Sequence, residues 1–184
     1  MKRATLLLLL SAGPASAHSG TGLPGGFLAG LLHPLTGLDH LLAMVAVGLW
    51  GRFLGRPLLY LLPMIFPLMM VAGAEIGMLD VPLPPIELGI ALSVVALGTA
   101  VAFAWKAPVW LACPIAGLFA LFHGYAHGRE LPSAADPLGY AAGFVLATGS
   151  LHLAGIAVGE LKMRSLGVGI AGAGLWFLVR AVMS

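Results

Sequence analysis

Residues 57–79 read PLLYLLPMIFPLMMVAGAEIGML, and within these 23 residues only Glu75 carries a charge. A helix needs about 20 apolar residues to cross the hydrocarbon core of a bilayer, so this stretch is read as a membrane span. Five further segments have the same character: Gly25–Trp50, Pro85–Trp105, Pro108–Ala126, Pro137–Gly159 and Ser165–Met183. Backbone polar groups must be satisfied inside lipid, which leaves helices as the natural form. The expected fold is an all-α integral membrane protein with six transmembrane helices. The breaks hold Arg, Lys, Pro and Gly and are too short for a soluble domain. Short loops make neighbouring helices antiparallel.

The whole composition agrees. Of 184 residues, 60% are hydrophobic and 9% charged, with no Asn or Gln. Mean hydropathy is +1.02. A soluble domain carries roughly 25% charged residues. A soluble enzyme, a disordered tail and a nucleic-acid binder, which needs basic patches, are excluded. The single cysteine, Cys113, rules out an intramolecular disulfide and is read as packing. No internal repeat is evident.

Residues 1–17, MKRATLLLLLSAGPASA, have a basic start, a short apolar stretch and a small-residue end. That is the form of a cleavable secretory signal peptide, with residues 18–184 as a single six-helix domain. Cleavage would make His18 the N-terminus, where an amine and an imidazole on one residue can chelate a metal. A cleaved leader places residue 18 outside, so the loops alternate from there. Arg52, Arg56, Lys106, Lys162 and Arg164 then face inward, against Arg129 and Arg180 outward. This satisfies the positive-inside rule. The expected location is the bacterial inner membrane, multi-pass, with both mature termini periplasmic. Net charge is +2, but without Lys2 and Arg3 seven bases balance seven acids.

In such a chain each intramembrane polar residue needs an explanation. The first span carries His33-Pro34-Leu35-Thr36-Gly37-Leu38-Asp39-His40. Seven residues bring His33 and His40 to nearly one helix face. Asp39 is placed to ligate or to hold an imidazole tautomer. Pro34 disturbs the preceding turn and Gly37 adds slack, and a broken helix at membrane depth is tolerated where it lines a cavity. The fourth span ends Phe122-His123-Gly124-Tyr125-Ala126-His127-Gly128-Arg129-Glu130. His123, His127 and Glu130 share a face, an arrangement suited to a divalent metal. The candidate metal ligands are therefore His33, Asp39, His40, His123, His127 and Glu130, with Glu75, Glu87 and His18 secondary. Glu75 and Glu87 have an equal reading as interfacial carboxylates reaching outward. His152, alone in its span, is read as a helix–helix hydrogen-bonding residue. Met44, Met64, Met69, Met70, Met78, Phe66 and Trp50 are read as packing or interface residues, and Asp80 and Asp136 as solvated. On the inner side only Glu160 and His152 are candidates. Gly167, Gly169, Gly172 and Gly174 suggest close helix packing in the last span.

The two motifs resemble those of the HupE/UreJ family of nickel and cobalt permeases. His-Pro-x-x-Gly-x-Asp-His is matched by His33, Pro34, Gly37, Asp39 and His40. Phe-His-Gly-x-Ala-His-Gly-x-Glu is matched by Phe122, His123, Gly124, Ala126, His127, Gly128 and Glu130. Leader, spans and size also match. The resemblance implies metal uptake linked to hydrogenase or urease maturation.

The expectation is a secondary permease importing Ni²⁺, or Co²⁺, with no permanent cofactor and no enzymatic activity. Ligand type alone does not select nickel, because imidazole also suits Cu, Zn and Fe. No GxxxxGK[ST] loop is present, so this chain alone does not hydrolyse ATP. Six acids, Asp39, Glu75, Asp80, Glu87, Glu130 and Asp136, lie on the outer side and would concentrate cations there. The partners are the metal ion and the lipid bilayer, with no nucleic acid; homo-oligomerisation is open. Two rival readings are an intramembrane zinc hydrolase and a metal-binding membrane accessory protein without flux. The hydrolase has candidate ligands and Glu130 as a base, but no GxSxG elbow.

Overall fold

A computed structural model describes residues 26–83, 85–130, 136–158 and 162–183, with only the backbone of Glu130. The expected leader, His18, Glu160 and the Glu130 side chain lie outside the described residues. The described chain forms α1 (Phe27–Thr36), α2 (Leu38–Leu54), α3 (Leu58–Met78), α4 (Ile86–Ala102), α5 (Val109–Glu130), α6 (Pro137–Val158) and α7 (Met163–Met183). The protein is all-α, as expected.

α3, α5, α6 and α7 are each long and apolar enough to cross a membrane. α1 and α2 together pass the same test but are bent by 82° at their junction. α4 is equally apolar, with 17 residues. Large apolar side chains such as Leu68, Leu153 and Val168 point out of the bundle, while His40, His123 and His152 are buried inside it. This polarity suits a lipid surround rather than water.

The bend has a local cause. Pro34 brings no N–H to α1, so the Gly30 carbonyl loses its helical donor. Three residues on, Gly37 takes an extended conformation and its N–H donates to the His33 carbonyl at 3.1 Å. The Thr36 hydroxyl donates to the same carbonyl at 3.0 Å. α2 restarts at once, with Leu41 N–H donating to the Gly37 carbonyl at 2.9 Å. The continuous first span read from the sequence is therefore two helices.

Glycine sets the helix spacing. A methyl on Gly124 would run into the Met70 carbonyl, and one on Gly128 into the Ala74 carbonyl. Gly73 and Gly77 stand in the same relation to Leu121 and Tyr125. α3 and α5 thus run parallel in backbone contact. α4 and α7 run antiparallel, with Gly98 against Ala171 and Gly167 against Ala102. Gly48 meets His152 where α2 crosses α6. Gly167 and Gly174 pack as expected, but Gly169 and Gly172 face open space, which corrects the four-glycine reading. Alternate faces of one helix cannot all meet a single neighbour.

The core extends to the end of α2. Trp50 is fully buried there, donates from its indole N–H to the Trp105 carbonyl at 3.0 Å and stacks on the Trp105 ring at 5.7 Å. Met44 and Met70 are buried, consistent with packing, whereas Met64 and Met78 are exposed. Cys113 lies half-buried against the same core.

Candidate metal centre

Four imidazoles from three helices meet inside the bundle. His33 from α1 lies 4.7 Å from His127 of α5 and 6.1 Å from His40 of α2, ring centre to ring centre. His40 lies 4.6 Å from His127 and 4.5 Å from His123. The α1–α2 bend and the α3–α5 glycine contacts produce this meeting. His33 and His40 are brought together by the 82° bend at Gly37, not by sharing one face of a straight helix. Each histidine of α5 is followed by a glycine, Gly124 or Gly128, that seats the helix against α3.

Two of the rings have an assigned tautomer. The Asp39 carboxylate accepts from His40 Nδ1–H at 2.8 Å and from the His40 backbone N–H at 2.7 Å. Nε2 of His40 is then the lone-pair nitrogen. Asp39 also sits in the first turn of α2, where the helix dipole favours an anion. Its side chain retains 18% exposure beside a fully buried His40. Ser93 of α4 donates its single hydroxyl proton to the Ile90 carbonyl at 2.6 Å. Its oxygen can then only accept from His123 Nε2–H, 2.7 Å away. That leaves Nδ1 of His123 as its lone-pair nitrogen.

The cluster has aromatic walls. Phe144 of α6 lies 4.3 Å from His127, and Tyr140 lies 6.0 Å from His33. Phe66 of α3 lies 5.9 Å from His123, on the side toward the α2 C-terminus. An apolar cleft lined by Pro67, Met70, Ala74, Tyr140 and Phe144 reaches His127.

The sequence-predicted site is thus partly assembled. His33, Asp39, His40, His123 and His127 lie together. The rings pack edge to face, and among the described residues no three His, Cys, Asp or Glu side chains form a ready-made metal shell. Glu75 and Glu87 stay exposed, at the last turn of α3 and the first turn of α4. Asp80 is exposed as expected and is also paired with Arg129. Asp136 is exposed and caps α6, accepting from Gly139 N–H at 2.9 Å. Ser93, Tyr140 and Phe144 were not singled out by sequence. Ser93 carried a signal, as a hydroxyl inside an apolar run; the two aromatics carried none.

Comparison with known proteins supports one assignment. The family model described as HupE / UreJ protein matches residues 6–180. Protein HupE of Rhizobium leguminosarum bv. viciae is 44% identical over 168 residues, covering 91% of this chain and 88% of that protein. No solved structure matches the chain. With almost the full length matched and both histidine motifs gathered at one site, the chain belongs to the HupE/UreJ family.

Proposed function

We propose that this protein is a secondary permease that carries Ni²⁺, with Co²⁺ as a second cargo, from the periplasm to the cytoplasm for hydrogenase or urease maturation. The observation that carries this reading is the buried meeting of four imidazoles from three helices, two of them with fixed tautomers. Belonging to the HupE/UreJ family marks the protein as a metal transporter or accessory, not an enzyme. The rival hydrolase reading falls with that assignment.

In this reading the ion sheds water onto His33, His40, His123 and His127. Imidazole nitrogens bind such ions at about 2.0–2.1 Å, closer than packed rings allow, so the rings turn as the ion enters. Asp39 acts through His40 and supplies negative charge. Glu130 closes the ligand set from the end of α5. Glu75 and Glu87 act before the site, as exposed carboxylates that raise the local cation concentration. A transport site must also release its cargo, which a shell assembled from several weak donors permits.

The six-span topology belongs to the same proposal. Each of the six apolar segments of the sequence corresponds to a helix or, for the first, to the bent α1–α2 pair. α4 at 17 residues is at the short end of what crosses a bilayer. The signal peptide and the periplasmic termini follow from the sequence reading.

The test is metal-resolved uptake in a bacterial strain lacking other nickel importers. Expression of the chain should restore ⁶³Ni accumulation, with Co²⁺ competing better than Zn²⁺. Tight binding without accumulation would identify a metal-binding accessory protein instead.

A further inference from the structure

We infer that His152 and Thr148 of α6, with the Pro63 carbonyl of α3, form a second cation station, separate from the histidine cluster and one layer further along the bundle. The inference rests on the permease reading.

Three observations converge on it. The first is position. Phe66 lies between the two sites, with its ring 5.9 Å from His123 and 5.6 Å from His152. His152 packs where α6 crosses Gly48, about two turns beyond His40 along α2. That direction leads toward the helix end bearing Arg52, the end read as cytoplasmic. An ion leaving the cluster by this route therefore meets the Phe66 ring and then His152.

The second is burial without satisfaction. His152 is 1% exposed and Thr148, one turn earlier on α6, is 0% exposed. Neither ring nitrogen of His152 nor the Thr148 hydroxyl closes a hydrogen bond of standard geometry among the described residues. A buried polar group left in this condition is destabilising. The Pro63 carbonyl of α3, toward which the ring is turned, can take up one ring N–H at most, which leaves the second ring nitrogen and the Thr148 hydroxyl without such a partner. Thr148 could satisfy its own hydroxyl through a carbonyl of the preceding turn, as helical threonines do, and does not.

The third is a spare acceptor. In a helix the Pro63 carbonyl would receive the N–H of residue 67, but residue 67 is proline. The His152 ring faces this carbonyl. One imidazole nitrogen, one hydroxyl oxygen and one carbonyl oxygen suit a partly hydrated divalent cation. They hold it more weakly than several imidazoles do, and binding along a conduction path must be weak enough to permit exit.

The experiment uses the full chain, purified and reconstituted in liposomes, with Ni²⁺ as the probe. Equilibrium dialysis in detergent reads nickel binding, and ⁶³Ni entry into liposomes reads transfer. His152→Ala removes the ring. His152→Gln keeps a hydrogen-bonding group beside Pro63 but is a poor metal ligand. The expected result is binding within about twofold of wild type and entry reduced about tenfold or more in both variants. Wild-type entry in His152→Gln would show that hydrogen bonding suffices and would overturn the proposal. Loss of binding together with entry in His152→Gln would make His152 a structural support of the outer cluster, and also overturn it. If wild-type liposomes take up no nickel, the permease reading itself fails, an outcome distinct from the other two.

Discussion

Ser93 and His123 are joined across α4 and α5 by a 2.7 Å hydrogen bond whose direction is set three residues away, at Ile90. The Ser93 proton is committed to the Ile90 carbonyl at 2.6 Å, so the imidazole must donate. A hydroxyl in a largely apolar helix thereby decides which nitrogen of His123 carries a lone pair. Asp39 does the same for His40. Outer partners of this kind commonly change metal affinity by about 10–100-fold when removed.

Ser93→Ala is therefore expected to weaken nickel binding by about tenfold, because His123 loses its acceptor and its tautomer is released. Ser93→Thr keeps the hydroxyl and should retain most of the affinity. Isothermal titration of the purified variants checks both. Equal affinity in Ser93→Ala would mean that His123 does not depend on this bond.

Asp39 combines two roles that substitution separates. Asp39→Asn keeps an oxygen that can accept from His40 but removes the charge; Asp39→Ala removes both. Uptake should fall in the order wild type, Asn, Ala, with the Ala variant down about 10–100-fold. Initial rates of ⁶³Ni uptake at matched expression give the order. An Asn variant as poor as Ala would assign the whole effect to charge.

The glycines after the two histidines make a structural prediction. Gly124→Ala or Gly128→Ala would place a methyl against a carbonyl of α3 and force the helices apart. Overpacking of this kind costs about 1–3 kcal/mol, and here it also displaces the attached histidine. Gly169→Ala and Gly172→Ala face open space and should be neutral or slightly stabilising, since alanine favours helix. Thermal unfolding in detergent, read alongside nickel binding, separates the two pairs.

Acid should inhibit. A protonated imidazole has no lone pair, so metal binding requires neutral histidines and releases protons. Nickel affinity is thus expected to fall as the pH is lowered and to recover as it is raised. Equilibrium binding from about pH 5.5 to 7.5 checks the sign; affinity independent of pH would exclude an imidazole shell.

The helical fold was largely legible because a bilayer imposes length and apolarity on each segment, as residues 57–79 illustrate. The break at Gly37 was half legible. Pro34 and Gly37 marked a weakness, but the 82° turn depends on what α1 and α2 pack against, including Tyr140 against Gly30 and His152 against Gly48. The histidine spacing picked out residues that lie together, but by a partly wrong geometry, since a seven-residue spacing on a straight helix is not what joins His33 to His40. Ser93 and Phe66 were illegible as site neighbours because their roles arise from contacts distant in sequence. The exposure of Glu75 and Glu87 follows from the outward faces of α3 and α4, which no local pattern specifies.

The central claim is that nickel crosses the membrane through the histidine cluster. Its most direct test is the initial rate of ⁶³Ni entry into liposomes holding purified wild type, His40→Ala or His127→Ala, each checked for folding by its unfolding temperature. The account predicts entry well above empty liposomes for wild type and a loss of about tenfold or more in both folded variants. Entry at the wild-type rate in either folded variant would contradict it.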